Sequence, residues 1–138
     1  MNALYLHVKN SVSAAFDLSG GMHWGLAPSG TKPEYLVMRP SPGGSYDTDT
    51  GTQQIGTQGI IFQFFAFGLT RTSSLVKSLQ ELFFGISANI DPDLRIIDAN
   101  LGSEDVFLDP DREDDASEVW QGLVSIDFTV QRRLERNK

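Results

Sequence analysis

The chain has 138 residues, 40% of them hydrophobic and 21% charged, with a formal charge of −7 and no cysteine. That length and mix describe one globular domain with a single core, not a disordered chain or two domains. They exclude disulfides, thiolate metal sites and a cysteine nucleophile, and they argue against a protein built to grip phosphate backbones, because such affinity comes from Lys and Arg displacing counterions.

Residues 3–16 place Leu4, Val8, Val12, Ala15 and Phe16 at helical spacing, and Asp17-Leu18-Ser19-Gly20-Gly21 supplies a stop. The first residues, Met1 to Lys9, lack the basic start, long apolar stretch and small-residue cleavage site of a secretory leader, so they are expected to be part of the fold. Met22–Leu26 and Glu34–Arg39 read as two short strands separated by Ala27-Pro28-Ser29-Gly30, and they are expected to pair as a hairpin. Residues 41–58 are rich in glycine and small polar side chains, with Gly-Thr-Gln at 51–53 and again at 56–58. This segment predicts a flexible polar loop.

Ile60 to Phe67 is apolar on both faces, as in a strand covered on two sides. The apolar run around it, Gly59 to Leu69, holds Gln63 and is about half the length a helix needs to span a bilayer, so no membrane crossing is expected. Thr70, Thr72 and Ser73 offer helix-capping hydroxyls, and Leu75, Val76, Leu79, Leu82, Phe83 and Ile86 then follow a 3.6-residue period. Leu94–Leu101 reads as a strand weakened by Asp98 and Asn100. Residues 102–118 read as an acidic loop: most of the chain's 18 Asp and Glu residues fall between Asn89 and Glu118, against Arg95 and Arg112 alone.

From Trp120 the pattern alternates strictly. Trp120, Gly122, Val124, Ile126, Phe128 and Val130 form one face, expected to be dry and buried, and Gln121, Leu123, Ser125, Asp127, Thr129 and Gln131 the other, expected to be wet. A one-residue slip would put Gln121 and Asp127 in the core, so the register of this strand is expected to be fixed. The elements together predict a single α+β domain over residues 1–138, with two helices on one face of a mainly antiparallel sheet of four to five strands.

No catalytic signature stands out. His7 and His23 have neither a second His four residues on nor the Glu of a zinc-protease helix, and they read as ordinary partly exposed side chains. Gly43-Gly44-Ser45 lacks the closing glycine of a nucleophile elbow, and Gly51 to Gly56 is followed by Thr57-Gln58 where a phosphate loop needs Lys and Ser or Thr. The run Asp109-Pro110-Asp111-Arg112-Glu113-Asp114-Asp115 is oxygen-rich. It has Asp114 where a helical calcium loop needs glycine and Trp120 where it needs its final Glu, which leaves at most an adventitious weak cation site. Glycoside chemistry depends on the spatial separation of two carboxylates, which spacing along the chain leaves open. No cofactor or metal is expected. The tail Gln131-Arg132-Arg133-Leu134-Glu135-Arg136-Asn137-Lys138 is basic: a solvated end, or a partner for a neighbouring subunit's acidic loop.

The order and character of these pieces resemble the tail-completion or tail-terminator family of long-tailed bacteriophages over nearly the whole chain. The resemblance is carried by the N-terminal helix with Gly20-Gly21, the strand Pro33-Glu34-Tyr35-Leu36-Val37-Met38, and the strand Phe62-Gln63-Phe64-Phe65-Ala66-Phe67. The helix Ser73 to Phe84, Arg95-Ile96-Ile97-Asp98 and the final strand Trp120 to Val130 complete it. The polar loop 41–58 is longer than in compact members. The resemblance implies a non-enzymatic virion protein at the neck, assembled in the host cytoplasm. It implies a ring, hexameric by analogy, that caps the tail tube, ends its polymerisation and docks to the head-side connector, with DNA passing through the channel without sequence-specific binding. On this reading the candidate subunit and partner contacts are Tyr46, Asp47, Asp49, Gln53, Gln54 and Ile55 in the polar loop. Asp109, Asp111, Arg112, Glu113, Asp114 and Asp115 are the candidates in the acidic loop, and Gln121, Leu123, Asp127, Arg132 and Arg133 those on or just after the last strand. The alternative is a monomeric minor virion component or assembly chaperone.

Overall fold

The computed structural model describes residues 2–41, 45–49, 53–108 and 119–133. In chain order the elements are α1 (Asn2–Ala15), β1 (Met22–Trp24), β2 (Tyr35–Pro40), β3 (Ser45–Asp49), β4 (Gln53–Phe67), α2 (Leu69–Phe83), β5 (Ala88–Asp91), β6 (Leu94–Leu108) and β7 (Val119–Arg133). The α+β class is as the sequence predicts, but the sheet has seven strands where four to five were expected. Six follow the order β1-β2-β4-β7-β6-β5, and β3 pairs with β4 off that path.

Two long strands form the centre. β4 and β7 pair antiparallel along their whole length, from Gln53 opposite Arg133 to Phe67 opposite Val119. Because side chains alternate, this register puts Ile60, Phe62 and Phe64 of β4 on the same face as Val124, Ile126, Phe128 and Val130 of β7, and all seven are buried. Leu36 and Met38 of β2 and Ile96 and Ala99 of β6 extend that face to either side. Both helices lie over it. Leu75, Val76, Leu79 and Phe83 line the inner side of α2, and the Phe83 ring stacks near Phe62 at 5.8 Å and meets Phe128 edge-on at 5.3 Å. Leu4, Val8 and Val12 are the buried stripe of α1. Phe16, just past its end, reaches the ring of Phe64 at 5.6 Å, while Ala15, expected on the stripe, is exposed.

Several expectations are corrected. β1 and β2 do not form a hairpin: they run parallel, with Met22 opposite Leu36 and Trp24 opposite Met38. Such a pairing needs a return loop rather than a tight turn, and residues 25–34 supply it, which a three-residue strand makes short enough. The first turn of α2 begins earlier than the capping hydroxyls suggested. Gly68, at φ 83, precedes it with no side-chain cap, and the fully buried Thr72 spends its hydroxyl on the Gly68 carbonyl at 2.9 Å. Arg71 forks onto Glu34 at 2.6 and 2.9 Å, tying α2 to the start of β2, and this hydrogen bond raises the guanidinium's pKa.

The polar loop 41–58 is in large part a β-hairpin, since β3 pairs with β4 and β4 already begins at Gln53. Its strand character was hidden because the inward-facing position opposite Val130 is Gly56, which has no side chain to mark the alternation. The acidic loop likewise begins later than expected: 102–108 continue β6, with Glu104 opposite Val124 and Leu108 opposite Trp120. As the side of β6 away from β7 is mostly open, its exposure pattern carries no clean alternation. β5 was not foreseen at all. No helix among the described residues is long and apolar enough to cross a membrane.

Gly122 sits where α2 comes closest to β7. A Cβ there would lie 2.5 Å from the Val76 side chain and 3.1 Å from that of Thr72. Gly122→Ala is therefore expected to lower unfolding free energy by about 1–3 kcal/mol through overpacking. Phe128→Ala, which empties the site beside Phe83, is expected to lower it by about 3–5 kcal/mol. Urea unfolding of the two variants checks both values, and wild-type stability in Gly122→Ala would mean that α2 is not seated on this glycine.

Candidate assembly surface

The helix-free face of the sheet is built from the alternate residues of the same strands. The pairings place Arg39, Ile61 and Ser125 in one row across β2, β4 and β7. Val37, Gln63, Leu123 and Asp105 form the next, and Tyr35, Phe65, Gln121 and Phe107 the one after. This face is mixed rather than wet. Tyr35, Val37 and Val119 are buried, the ring of Tyr35 stacks on Phe65 at 4.5 Å, and Gln121 is only 8% exposed. Gln121 is held there by Gln63, whose Nε2 donates to its Oε1 at 2.6 Å. The expectation that Gln121 belongs to a wet face is thus corrected, and so is full burial of Trp120, which is half-buried. Leu123, Ser125, Thr129 and Gln131 are half-buried, and Asp127 is exposed.

Above the buried rows the face opens into a groove of about 570 Å³, with Ile61, Leu123 and Ser125 as its floor, Arg39 on one wall and Ser103 and Asp105 on the other. Neither histidine lines it; His23 instead sits with Nε2 2.8 Å from the Gly20 carbonyl oxygen. No group of three or more His, Asp or Glu side chains able to hold a metal ion occurs among the described residues. A shallow trough of opposite charges on an apolar floor suits contact with another chain better than turnover of a small molecule. Arg39, Ile61 and Asp105 were missed as surface residues. Their signal lay in the register of β2, β4 and β6, which the chain order alone does not specify.

The structure also sorts the predicted contact residues. Gln53, Gln54 and Ile55 at the start of β4 pair with Arg133, Arg132 and Gln131 at the end of β7, and β3, which contains Tyr46, Asp47 and Asp49, lies alongside. These residues form one group at one end of the sheet. Asp109, Asp111, Arg112, Glu113, Asp114 and Asp115 lie outside the described residues; Leu108 and Val119, the described residues that flank them in the sequence, are at the opposite end of the sheet. At ~3.3 Å per residue, β7 separates those two ends by about 45 Å. Leu123 and Asp127 fall between them on the helix-free face.

The Gln63–Gln121 bond is the polar pin of that face. Gln121→Leu alone is expected to cost about 0.5–1.5 kcal/mol, because it strands the Gln63 amide, whereas the Gln63→Leu/Gln121→Leu pair is expected to recover most of it. A double-mutant cycle by thermal unfolding measures the coupling, and strict additivity would show that the two amides do not act together.

No protein-family model and no curated protein matches this sequence. Among solved structures, the fold is similar to a chain from a structure described as "Virion of native gene transfer agent (GTA) particle". The match has a TM-score of 0.53 at 10% sequence identity and covers 89% of this chain and 84% of that one.

Proposed function

We propose that this chain is a structural component of a phage-like virion, and within it a tail terminator. Copies assemble into a ring, hexameric by the family resemblance, that caps the tail tube, stops its polymerisation and presents a surface to the head-side connector. The observation that carries the virion reading is the similar fold of a chain in a gene transfer agent virion, matched over most of both lengths. The tail-terminator role rests on the resemblance of the sequence elements to that family.

The chemistry is compatible with this role. A ring of chains each carrying −7 presents DNA with a repulsive rather than an adhesive lining, which favours passage over binding. The two ends of β7 supply two separate contact regions. The β3–β4 hairpin with Arg132 and Arg133 lies at one, and Leu108 and Val119, between which the acidic residues fall in the sequence, lie at the other; one would meet the tube and the other the connector. The helix-free face, with its groove and half-buried Leu123, is then available to a neighbouring copy.

Imaging of the intact particle tests the proposal directly. The expected result is six copies around the channel where the tube meets the neck, in particles assembled in the host cytoplasm. Absence from mature particles would overturn it in favour of an assembly chaperone. For the contact regions, the double variant Arg132→Glu/Arg133→Glu is expected to reduce joining of tails to heads while keeping the unfolding temperature. Unchanged joining would remove that end of the sheet from the interface.

A further inference from the structure

β5 covers only the first residues of β6, pairing at Leu94, Arg95 and Ile96. Beyond Ile97 the side of β6 away from β7 has no backbone partner among the described residues, up to Leu108. Apart from the Ala99 N–H, which donates to Asp98 Oδ1 at 2.9 Å, the N–H and C=O groups of this edge that lack a partner among the described residues are a template for another strand. Proteins commonly blunt such an edge with bulges and charge, and both are present. The register shifts between Ile96 and Asp98 and again between Leu101 and Glu104, the second shift being held by the Ser103 N–H donating to Ser125 Oγ at 2.9 Å. Two regular runs remain, 98–101 and 104–108.

The two sides of this edge differ in chemistry. On the helix side, Leu101 is 37% exposed and borders a hollow of about 370 Å³ shared with Phe84, Lys77, Gln80 and Glu81; Phe84, just after α2, is 74% exposed. On the helix-free side the pairings place Asp98 beside Thr129, Asn100 beside Asp127 and Asp105 beside Leu123. Asp98, Asn100 and Asp105 are all exposed, and 97–108 contains no Lys or Arg. Glu104 is also on the helix side, opposite Val124, where its Oε2 accepts from Gln80 Nε2 at 2.9 Å; the Phe84–Leu101 hollow on that side and Asp98 and Asp105 on the other call for a strand whose alternate residues are apolar and basic.

We propose that the open edge of β6, from Asp98 to Leu108, is the docking ledge for an extended segment of a different protein that adds to the sheet as a further strand. Its apolar side chains enter the Phe84–Leu101 hollow, and its Lys or Arg side chains face Asp98 and Asp105. Main-chain pairing provides the attachment and the alternating side chains the selectivity. The described strand edges of a second copy fit poorly: two β6 edges would set the same acids against each other, β3 has two Asp and no Lys or Arg in its sequence, and β1 is only three residues long. The inference concerns the sheet edge alone and does not depend on the ring reading.

The probe is a short fluorescent peptide of alternating valine and lysine, titrated against the whole chain by anisotropy, with hydrogen exchange following residues 98–108. Binding is expected, with exchange in that stretch slowed roughly tenfold or more. Phe84→Asp and Leu101→Asp, both at exposed positions, are each expected to weaken it roughly tenfold at an unchanged unfolding temperature. The double variant Asp98→Lys/Asp105→Lys is expected to reverse the preference toward a valine–glutamate peptide. The proposal is overturned if the valine–lysine peptide does not bind or if a block peptide of the same composition binds equally well. Protection elsewhere than on β6, or protection of 98–108 by self-association of the chain without peptide, would overturn it too.

Discussion

The antiparallel ladder between β4 and β7 is the constraint on which the rest of this structure depends. It runs unbroken from Gln53 opposite Arg133 to Phe67 opposite Val119. A ladder of that length with no slip commits every side chain on both strands to one face or the other. On one face it gathers Ile60, Phe62, Phe64, Val124, Ile126, Phe128 and Val130, and the two helices have only that face to cover. The other face follows by default, and its mixture of Tyr35, Phe65, Gln63, Gln121, Leu123 and Asp127 is a consequence of the register, not a separate design feature.

Packing at the helix layer shows how tight the arrangement is. Gly122 lets α2 approach until Val76 and Thr72 touch the strand, and Phe83 then stands between Phe62 and Phe128. The absence of a side chain at one strand position thus fixes the height of the helix over the sheet, and with it the depth at which Leu79 and Leu75 are buried. The helix-free face has no such layer. There Tyr35 and Phe65 shield each other, and Gln63 and Gln121 satisfy each other, which is how the sheet keeps a partly apolar surface without a covering layer.

That division of labour makes assembly a physically coherent role. Most of the fully buried apolar side chains lie on the helix side, while Arg39 and Asp105 at the groove are exposed. Arg132 and Arg133 stand at one end of β7, about 45 Å from Val119 at the other, and the ladder fixes that distance.

What the sequence by itself determined is the set of elements whose periodicity is written in side chains. These are α1 through Leu4, Val8 and Val12, α2 through Leu75, Leu79 and Phe83, the centre of β4, and β7 through Val124 to Val130. It also disclosed the acidic concentration and the absence of a recognisable catalytic motif. It could not disclose strands marked by backbone pairing alone, such as Gln53 to Gly59, where Gly56 and Gly59 erase the alternation, or the end of β6, where a one-sided edge leaves most residues exposed. Nor could it reveal the parallel pairing of β1 with β2, because the direction of a three-residue strand depends on where its neighbour lies. The candidate surface divides in the same way. Leu123 and Asp127 were legible from alternation, whereas Arg39, Ile61 and Asp105 come together only because three strands distant in the chain are held in register by hydrogen bonds that no local pattern encodes.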